Sequence, residues 1–298
     1  MNKITIIGAN SYIARNLIFY LKDKDVNISM YGHSAKHIDG GNSYECVDIL
    51  DKNNLSKIDF DCDYIYFFSA RTGTSIGFES YNEFVHVNEL GLLNILDEYV
   101  KQKSKAKIIF PSTRLVYKGK NCPLKENDEK EFKTIYAINK YSCEQYLSMY
   151  ALMFGIRYCV VRICVPYGTM IENARSYGTI DFFLTKARSK ENITLYGTGE
   201  QRRSIIDIRD LCRILFDVAK SDCNNDIYNI GGENYSLKEM AMLIAEKYEV
   251  LVDYIPFPEK ALILESGSTV FDDSKLKQKL GDSLYKYNFA YWVKDLIV

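Results

Sequence analysis

A tyrosine and a lysine, Tyr136 and Lys140, stand four residues apart in a segment with helical apolar spacing. Residues four apart share one face of an α-helix, so both side chains are expected to point into the same site. A free phenol has a pKa of about 10 and is a poor acid–base group at neutral pH. A neighbouring ammonium favours the phenolate and lowers that pKa. The spacing is therefore typical of a proton relay, although an exposed tyrosine–lysine pair would show the same pattern.

A hydroxyl group that could join this pair lies 23 residues upstream of Tyr136. Thr113 follows a short apolar run and a proline, and open α/β sheets bind their ligands at the carboxyl ends of strands. Thr113 could hydrogen-bond the reacting oxygen, or it could serve only as a capping or turn hydroxyl. Between these segments in space we expect Asn88. Gly91, three residues further on, costs a helix about 1 kcal/mol relative to alanine, which a close contact would justify.

A glycine turn follows the first predicted strand, residues 3–7, and leads into a helical stripe. Dinucleotide-binding turns bring backbone N–H groups and a helix N-terminus to the pyrophosphate. Of the three positions that favour glycine, one holds Gly8, whereas Ser11 and Ala14 occupy the others, so an ordinary β–α turn fits equally well. The residues of this turn that we expect at a bound dinucleotide are Gly8, Asn10, Ser11, Tyr12 and Ile13.

The end of the second predicted strand, residues 26–31, bears on the identity of the cofactor. An acidic residue at this place grips the ribose 2′-OH of NAD(H), but no carboxylate directly follows this strand. The polar and basic residues that follow are His33, Ser34 and Lys36. They suit a 2′-phosphate, which favours NADP(H) and leaves NAD(H) possible, or they form a solvated loop. Further on, Asp48 and its neighbour Ile49 could contact the adenine, or Asp48 could be a plain turn residue.

Apolar runs alternate with helical stripes along most of the chain, which implies β-α-β units and a parallel sheet. The predicted strands are 3–7, 26–31, 64–68, 107–110, 158–165, 193–196, 205–208 and 227–230, and the predicted helices are 13–21, 85–99, 135–154, 180–188, 210–220 and one that begins after Ser236 with Glu239 in a capping box. We expect an α/β fold with a Rossmann-type doubly wound parallel sheet and a smaller C-terminal α/β substrate lobe. The dinucleotide-binding domain would span residues 1–165 and 205–232, and the lobe residues 166–204 and 233–298.

The composition excludes several classes of protein. The 298 residues include 38 Lys and Arg and 39 Asp and Glu, so the net charge of −1 provides no broad nucleic-acid surface. Eight cysteines without a C-x-x-C pair indicate free thiols in a reducing compartment. Three histidines are too few for most metal sites. No apolar run approaches the roughly 18 residues of a membrane span. We therefore expect a cytoplasmic protein with no metal, membrane or nucleic-acid partner.

Several short motifs fall in an order that resembles a known family. They are the glycine turn at Gly8, V-N-x-x-G-x-x-N from Val87, S-T-x-x-V-Y from Ser112, Y-x-x-x-K from Tyr136, V-P-Y-G from Val165, Y-G-T-G-E-Q-R-R from Tyr196 and Y-N-I-G-G from Tyr228. Over nearly its whole length the chain resembles the extended short-chain dehydrogenases/reductases, in the NAD(P)-dependent nucleotide-sugar epimerase/dehydratase group.

The resemblance implies a role for each matching residue. Tyr136 would be the acid–base, Lys140 would hold the nicotinamide ribose and lower the pKa of the tyrosine, and Thr113 would orient the sugar oxygen. Arg203 would meet the nucleotide diphosphate, for which the planar guanidinium is suited. Further cofactor contacts would come from Ser69, Ala70 and Asn88, and further substrate contacts from Arg71, Val165 and Tyr196. Val165 stands where relatives often have an asparagine that touches the substrate.

The activity implied by the resemblance is hydride transfer at carbon 4 of a nucleotide-linked hexose. Arg114 and Leu115 replace the Asp-Glu pair of the sugar 4,6-dehydratases, which argues against water elimination. The missing acid after the second strand slightly favours a 4-ketoreductase that uses NADPH. A 4-epimerase of the UDP-glucose 4-epimerase type and a non-catalytic NAD(P)-binding protein are the alternatives. The resemblance also implies a homodimer through the helices that carry Asn88 and Tyr136, and a role in polysaccharide biosynthesis.

Overall fold

Parallel strands with both faces covered are expected to read as continuous apolar runs, and the runs found in the sequence form the strands of a large sheet. The computed structural model describes residues 1–40, 43–172 and 178–297. The strands are β1 (Asn2–Ile7), β2 (Val26–Gly32), β3 (Tyr44–Cys46), β4 (Tyr64–Phe67), β5 (Lys107–Thr113), β6 (Arg157–Ile163), β7 (Val165–Tyr167), β8 (Ile193–Tyr196), β9 (Arg202–Asp207), β10 (Asp226–Ile230), β11 (Glu233–Ser236) and β12 (Val252–Ile255).

The helical segments connect these strands. They are α1 (Tyr12–Leu21), α2 (Ile76–Glu79), α3 (Tyr81–Val85), α4 (Gly91–Lys101), α5 (Ile135–Phe154), α6 (Thr179–Arg188), α7 (Ile208–Lys220), α8 (Leu237–Tyr248), α9 (Glu259–Leu264), α10 (Ser274–Leu280) and α11 (Phe289–Lys294), with a π-helical turn at His86–Leu90 and 3₁₀ turns at Lys52–Lys57 and Arg114–Val116. No helix in the described ranges is long and apolar enough to cross a bilayer.

The large sheet has seven parallel strands in the order β10-β6-β5-β4-β1-β2-β3. The order reverses between β1 and β4, and open α/β sheets bind ligands in the crevice at such a reversal. Ile6 and Ile7 of β1 belong to two different apolar cores. One core includes Leu17 of α1 and Leu215 of α7, and the other includes Leu92 of α4. The doubly wound α/β fold expected from the sequence is therefore confirmed.

The later part of the chain adds two small sheets, β11-β9-β7 and β12-β8. They share an apolar core with α6, α8 and α11. Helix α8 begins with the predicted capping box, in which the backbone N–H of Glu239 donates to Ser236 Oγ at 3.1 Å and the backbone N–H of Ser236 donates to Glu239 Oε2 at 2.7 Å. The limits given above for the dinucleotide-binding domain and the substrate lobe stay a prediction.

Three predicted elements differ from the structure. The strand predicted over 158–165 is two strands in different sheets, separated at Cys164. Apolar residues on both sides of Cys164 gave no signal in the sequence for this change of sheet. Strand β5 continues through Pro111 to Thr113, beside β6 alone, since its register with β4 ends at Ile109. The helix predicted over 85–99 contains the π turn that carries Asn88.

Candidate active site

The glycine turn lies at the reversal point of the sheet. Gly8 has φ of +87°, and a Cβ at this position would lie 2.4 Å from the backbone N of Ser69, at the end of β4. Only glycine therefore allows the two strand ends to approach this closely. Ser11 caps helix α1 by accepting a hydrogen bond from the backbone N–H of Ala14 at 3.4 Å. The backbone of this tight turn, next to the N-terminus of a helix, fits the pyrophosphate of a dinucleotide.

The loop after β2 is held against the glycine turn. The Asn10 amide donates to the carbonyl of Lys36 at 3.1 Å and accepts from the backbone N–H of Ile38 at 2.9 Å. Arg15 forms an ion pair with Asp39, which lowers the pKa of that carboxyl group. Asn10 therefore positions this loop rather than facing a ligand. The residues expected at the 2′-position, His33, Ser34 and Lys36, are all exposed.

Thr113, Tyr136 and Lys140 lie around one cavity of about 320 Å³. Its wall is formed by the glycine turn, the ends of β4, β5 and β6, and the first turns of α5. The lining residues are Ser11, Tyr12, Ile13, Phe68, Ala70, Thr72, Pro111, Ser112, Thr113, Tyr136, Lys140, Ile163, Cys164 and Pro166. We call this space the first cavity. Residues that the sequence separates by more than 100 positions are thus brought to one site.

Lys140 is buried and fixed by its surroundings. Its Nζ donates to the carbonyl oxygen of Pro111 at 2.7 Å, and lies 4.4 Å from the centroid of the Phe110 ring and 5.9 Å from that of Tyr136. Burial lowers the pKa of Lys140 to about 8, although Cys143 and Glu144 act in the opposite direction. The ammonium is therefore still charged at neutral pH and lies near the Tyr136 ring.

Thr113 caps a turn, as one of its two predicted roles requires, and it also lies in the wall of the first cavity. As the N-cap of the 3₁₀ turn at Arg114–Val116, its Oγ1 accepts from the backbone N–H of Leu115 at 3.2 Å, and the residue also lines the first cavity. Capping uses the hydroxyl as an acceptor, and a hydroxyl can donate as well. The same turn therefore orients this hydroxyl at the site.

Behind this wall lies a buried ion pair that joins α5 to β6. Arg162 donates from Nε to Glu144 Oε1 at 3.0 Å and from Nη2 to Oε2 at 2.6 Å, and both side chains are at most 1% exposed. Ser112 donates to the same carboxylate at 2.5 Å, and Arg162 Nη1 donates to the Tyr117 hydroxyl at 2.7 Å. This network fixes α5, and with it Tyr136, relative to β5 and β6.

Asn88 acts through the backbone of the loop after β4. Its Oδ1 accepts from the backbone N–H of Arg71 at 2.7 Å, and its Nδ2 donates to the carbonyl of Arg71 at 3.0 Å and to Asn139 Oδ1 at 3.2 Å. Asn88 therefore positions this loop against α5. The Arg71 side chain, expected at the substrate, instead forms an exposed ion pair with Glu83 at 2.8 Å.

The predicted adenine contacts divide between two environments. Asp48 is exposed, and its side chain accepts from the backbone N–H of Leu50 at 2.9 Å, which is the behaviour of a turn residue. Ile49 is buried, and a Cβ on Gly91 would lie 2.4 Å from its Cδ1. The close contact that justifies a helical glycine at this position is therefore with Ile49.

A larger cavity of about 680 Å³, which we call the second cavity, lies between the large sheet and the later part of the chain. Its lining includes two predicted substrate residues, Tyr196 and Arg203. Arg203 is buried and donates from Nη2 to Glu265 Oε1 at 2.6 Å. Val165, by contrast, lines neither cavity and packs against the apolar core of the later part of the chain.

Several lining residues were missed in the sequence. Cys164 and Pro166 flank Val165 and line the first cavity, whereas Arg114 lines the second. The position of Arg114 directly after Thr113 was the signal that could have placed it at the site. Within the described ranges, no group of three or more His, Cys, Asp or Glu side chains is placed to hold a metal.

The sequence pattern that defines the NAD dependent epimerase/dehydratase family matches residues 4–231, most of the chain. The chain therefore belongs to that family of enzymes. It is 25% identical over 255 residues to a Methanocaldococcus jannaschii protein provisionally named UDP-glucose 4-epimerase. That alignment covers 83% of this chain and 82% of the relative. It is 29% identical over 202 residues to the UDP-N-acetyl-alpha-D-glucosaminuronate decarboxylase of Bacillus cytotoxicus, covering 65% and 62%.

The fold is shared with solved structures. The UDP-glucose 4-epimerase of Thermus thermophilus in complex with NAD superposes with a TM-score of 0.81 at 21% identity, over 93% of this chain and 92% of that one. The family is described as NAD dependent. The preference for NADP(H) drawn from the end of β2 is thus less well supported than NAD(H), because a missing carboxylate is only indirect evidence for a 2′-phosphate.

Proposed function

We propose that this enzyme is an NAD-dependent nucleotide-sugar 4-epimerase. The observation that carries the proposal is the placement of Thr113, Tyr136 and Lys140 around one cavity beside the glycine turn. The consecutive residues Thr113 and Arg114 face the first and second cavities respectively, so one ligand could extend from one into the other.

The residues of the first cavity fit NAD. The backbone at Gly8 and the N-terminus of α1 would hold the pyrophosphate, and Lys140 would hold the nicotinamide ribose at the opposite end. When bound, the nicotinamide supplies hydride acceptance and donation at the sugar carbon. Ser69 and Ala70, at the carboxyl end of β4, would lie against the dinucleotide where the sheet reverses.

Tyr136 would handle the proton of the reacting hydroxyl. In the proposed reaction it removes the proton from O4 of the sugar and later returns one to the same oxygen after the ketone has turned its other face. The charge on Lys140 favours the phenolate that the first step needs. Thr113 would hydrogen-bond the same oxygen and hold it in reach of Tyr136. Each step uses a positioned acid–base group of the chain itself.

The nucleotide part of the substrate would occupy the second cavity. Arg203 would face the diphosphate, and Tyr196, whose ring centroid is 5.6 Å from that of Phe257, would lie near the base. Such a cavity has the size and the mixture of apolar wall and few charged groups typical of a site for a small ligand.

An epimerase is preferred to the 4-ketoreductase that the sequence analysis slightly favoured. The family description names epimerases and dehydratases and NAD, and the ketoreductase preference depended on the argument for NADPH. A dehydratase is disfavoured because Arg114 and Leu115 occupy the positions where a dehydratase would need carboxylates. The presence of both Tyr136 and Lys140 disfavours a non-catalytic binding protein.

A homodimer would fit the exposed side of α5. Met149, Leu152 and Met153 are 60%, 85% and 75% exposed on this helix. A patch of large apolar side chains is typical of a protein–protein contact. We therefore propose a dimer through α5 and the neighbouring segment that carries Asn88, and sedimentation of the Met153→Glu variant would test it.

The function is tested by identifying the nucleotide that copurifies with the chain and by assaying UDP-, dTDP-, CDP- and GDP-hexoses for the 4-epimer. We expect bound NAD and product formation without net change in NADH absorbance. Stoichiometric consumption of NADPH with a 4-keto sugar would instead establish the ketoreductase. Absence of any nucleotide binding would contradict both.

A further inference from the structure

Two residues that are adjacent in the chain line different cavities. Thr113 lines the first cavity, and the Arg114 side chain lines the second. Arg203 also lines the second cavity, and its charge contributes to lowering the pKa of Arg114. Among the cations of the described residues that line the second cavity, Arg114 is the one next in sequence to a residue of the first cavity.

The charge of Arg114 is incompletely balanced by the protein. In the described part of the chain, its guanidinium has one hydrogen bond, from Nη1 to Thr269 Oγ1 at 3.2 Å. Glu265 contributes attraction, but its carboxylate already pairs with Arg203 at 2.6 Å. Burial, with the nearby Arg203, lowers the pKa of Arg114 to about 9, so it remains charged at neutral pH. A buried charge is stable only when an opposite charge compensates it.

The remaining N–H donors of this guanidinium suit a carboxylate. Arginine presents five donors in a planar fork that binds a carboxylate through two parallel hydrogen bonds. In a hexuronic acid the carboxylate is attached to carbon 5, next to carbon 4. A side chain that binds this carboxylate must therefore lie beside the residues that hold O4. Arg114 directly follows Thr113 in the chain.

We propose that Arg114 selects nucleotide-linked hexuronic acids, by binding the carboxylate on carbon 5 of the sugar, over neutral hexoses. This inference rests on the function proposed above. It assigns the diphosphate to Arg203 and assigns to Arg114 the sugar end of the same ligand. A neutral hexose would leave this partly buried guanidinium without an ionic partner.

The test compares ligands that differ in one group. Binding of UDP, UDP-glucose and UDP-glucuronic acid to the NAD-loaded enzyme is measured by calorimetry, and glucose 1-phosphate and glucuronic acid 1-phosphate repeat the comparison without a base. We expect the carboxylated member of each pair to bind about tenfold more tightly or better, as is usual for a hydrogen-bonded charge pair. Equal or tighter binding of the neutral members would overturn the proposal.

Two variants separate the possible roles of Arg114. Arg114→Gln should remove the preference for the carboxylated ligands and leave the affinity for UDP within about twofold of the wild type. If this variant weakens UDP as much as UDP-glucuronic acid, Arg114 binds the diphosphate and the proposal is wrong. Thr269→Val is the matched control, because it removes the hydrogen bond that Arg114 Nη1 donates to Thr269 Oγ1 without changing the charge. It should keep the preference, and loss of the preference there would indicate a structural role.

The outcomes also separate this inference from the proposed function. An enzyme that binds NAD and epimerises neutral nucleotide-hexoses with no preference for uronic acids would retain the proposed function and refute the role of Arg114. An enzyme that binds no NAD and no nucleotide would refute the proposed function itself.

Discussion

Lys140 lies one helical turn beyond Tyr136 on α5, with its Nζ 5.9 Å from the centroid of the tyrosine ring and 2.7 Å from the carbonyl oxygen of Pro111. The carbonyl of β5 thus anchors the ammonium at the end of the strand that also presents Thr113. The spacing along the helix sets which residues share a face, and the strand sets where that face meets the cavity.

Removal of the phenolic hydroxyl should abolish turnover. Tyr136→Phe is expected to reduce kcat by about 10²–10⁴-fold, the usual contribution of a positioned acid–base group, and to leave NAD binding largely intact. Tyr141→Phe on the same helix is the matched control, because this ring packs on Phe132 and lines neither cavity. Turnover by Tyr136→Phe at the rate of the control would exclude Tyr136 as the acid–base.

The rate should fall as pH rises above about 8. Burial lowers the pKa of Lys140 to about 8, from 10.5 for an exposed lysine, and loss of its charge removes the support for the Tyr136 phenolate. The unfolded chain holds this proton more tightly, so between these two pH values the contribution of Lys140 to stability rises with pH. Rates and urea unfolding measured over pH 6–10 should therefore separate the two effects. A rate that stays constant to pH 10 would contradict the role of Lys140.

Alanine at the glycine turn should weaken both the fold and NAD binding. Gly8→Ala is expected to cost about 1–3 kcal/mol through overpacking against Ser69, in addition to the strain of its positive φ. Gly155→Ala is the control, since Gly155 has φ of +67° but open space around it. The control should lose about 1–2 kcal/mol from backbone strain alone. If both variants lose the same free energy of unfolding in urea and Gly8→Ala keeps its affinity for NAD, the close approach of Gly8 to Ser69 is unimportant.

Loss of the buried ion pair should destabilise the enzyme strongly. Glu144→Gln leaves the buried Arg162 without a countercharge, which typically costs about 3–5 kcal/mol. Glu129→Gln is the control, because Glu129 pairs with Lys118 on the surface, where such pairs contribute about 0–1 kcal/mol. The free energies of unfolding in urea give the comparison. A loss in Glu144→Gln no larger than in the control would mean that this pair does not hold α5 to β6.

The local properties of this protein could be predicted from its sequence. Helix α5 has the predicted bounds, as does β8, because the apolar periodicity and the caps that define an element lie within a few residues of one another. The spacing of Tyr136 and Lys140 on one helical face, and the capping box at Ser236, are local in the same way. The alternation of strands and helices likewise indicated the parallel sheet.

Other features were decided only by the tertiary structure, because they depend on residues far apart in the chain. The residues next to Cys164, Ile163 and Val165, are both apolar and do not show that the chain changes sheets there. The requirement for glycine at Gly8 comes from Ser69, and the burial that lowers the pKa of Lys140 comes from packing around β5. The sequence also contains Arg114, but only the fold places its charge at the second cavity, where the surrounding side chains leave it incompletely balanced.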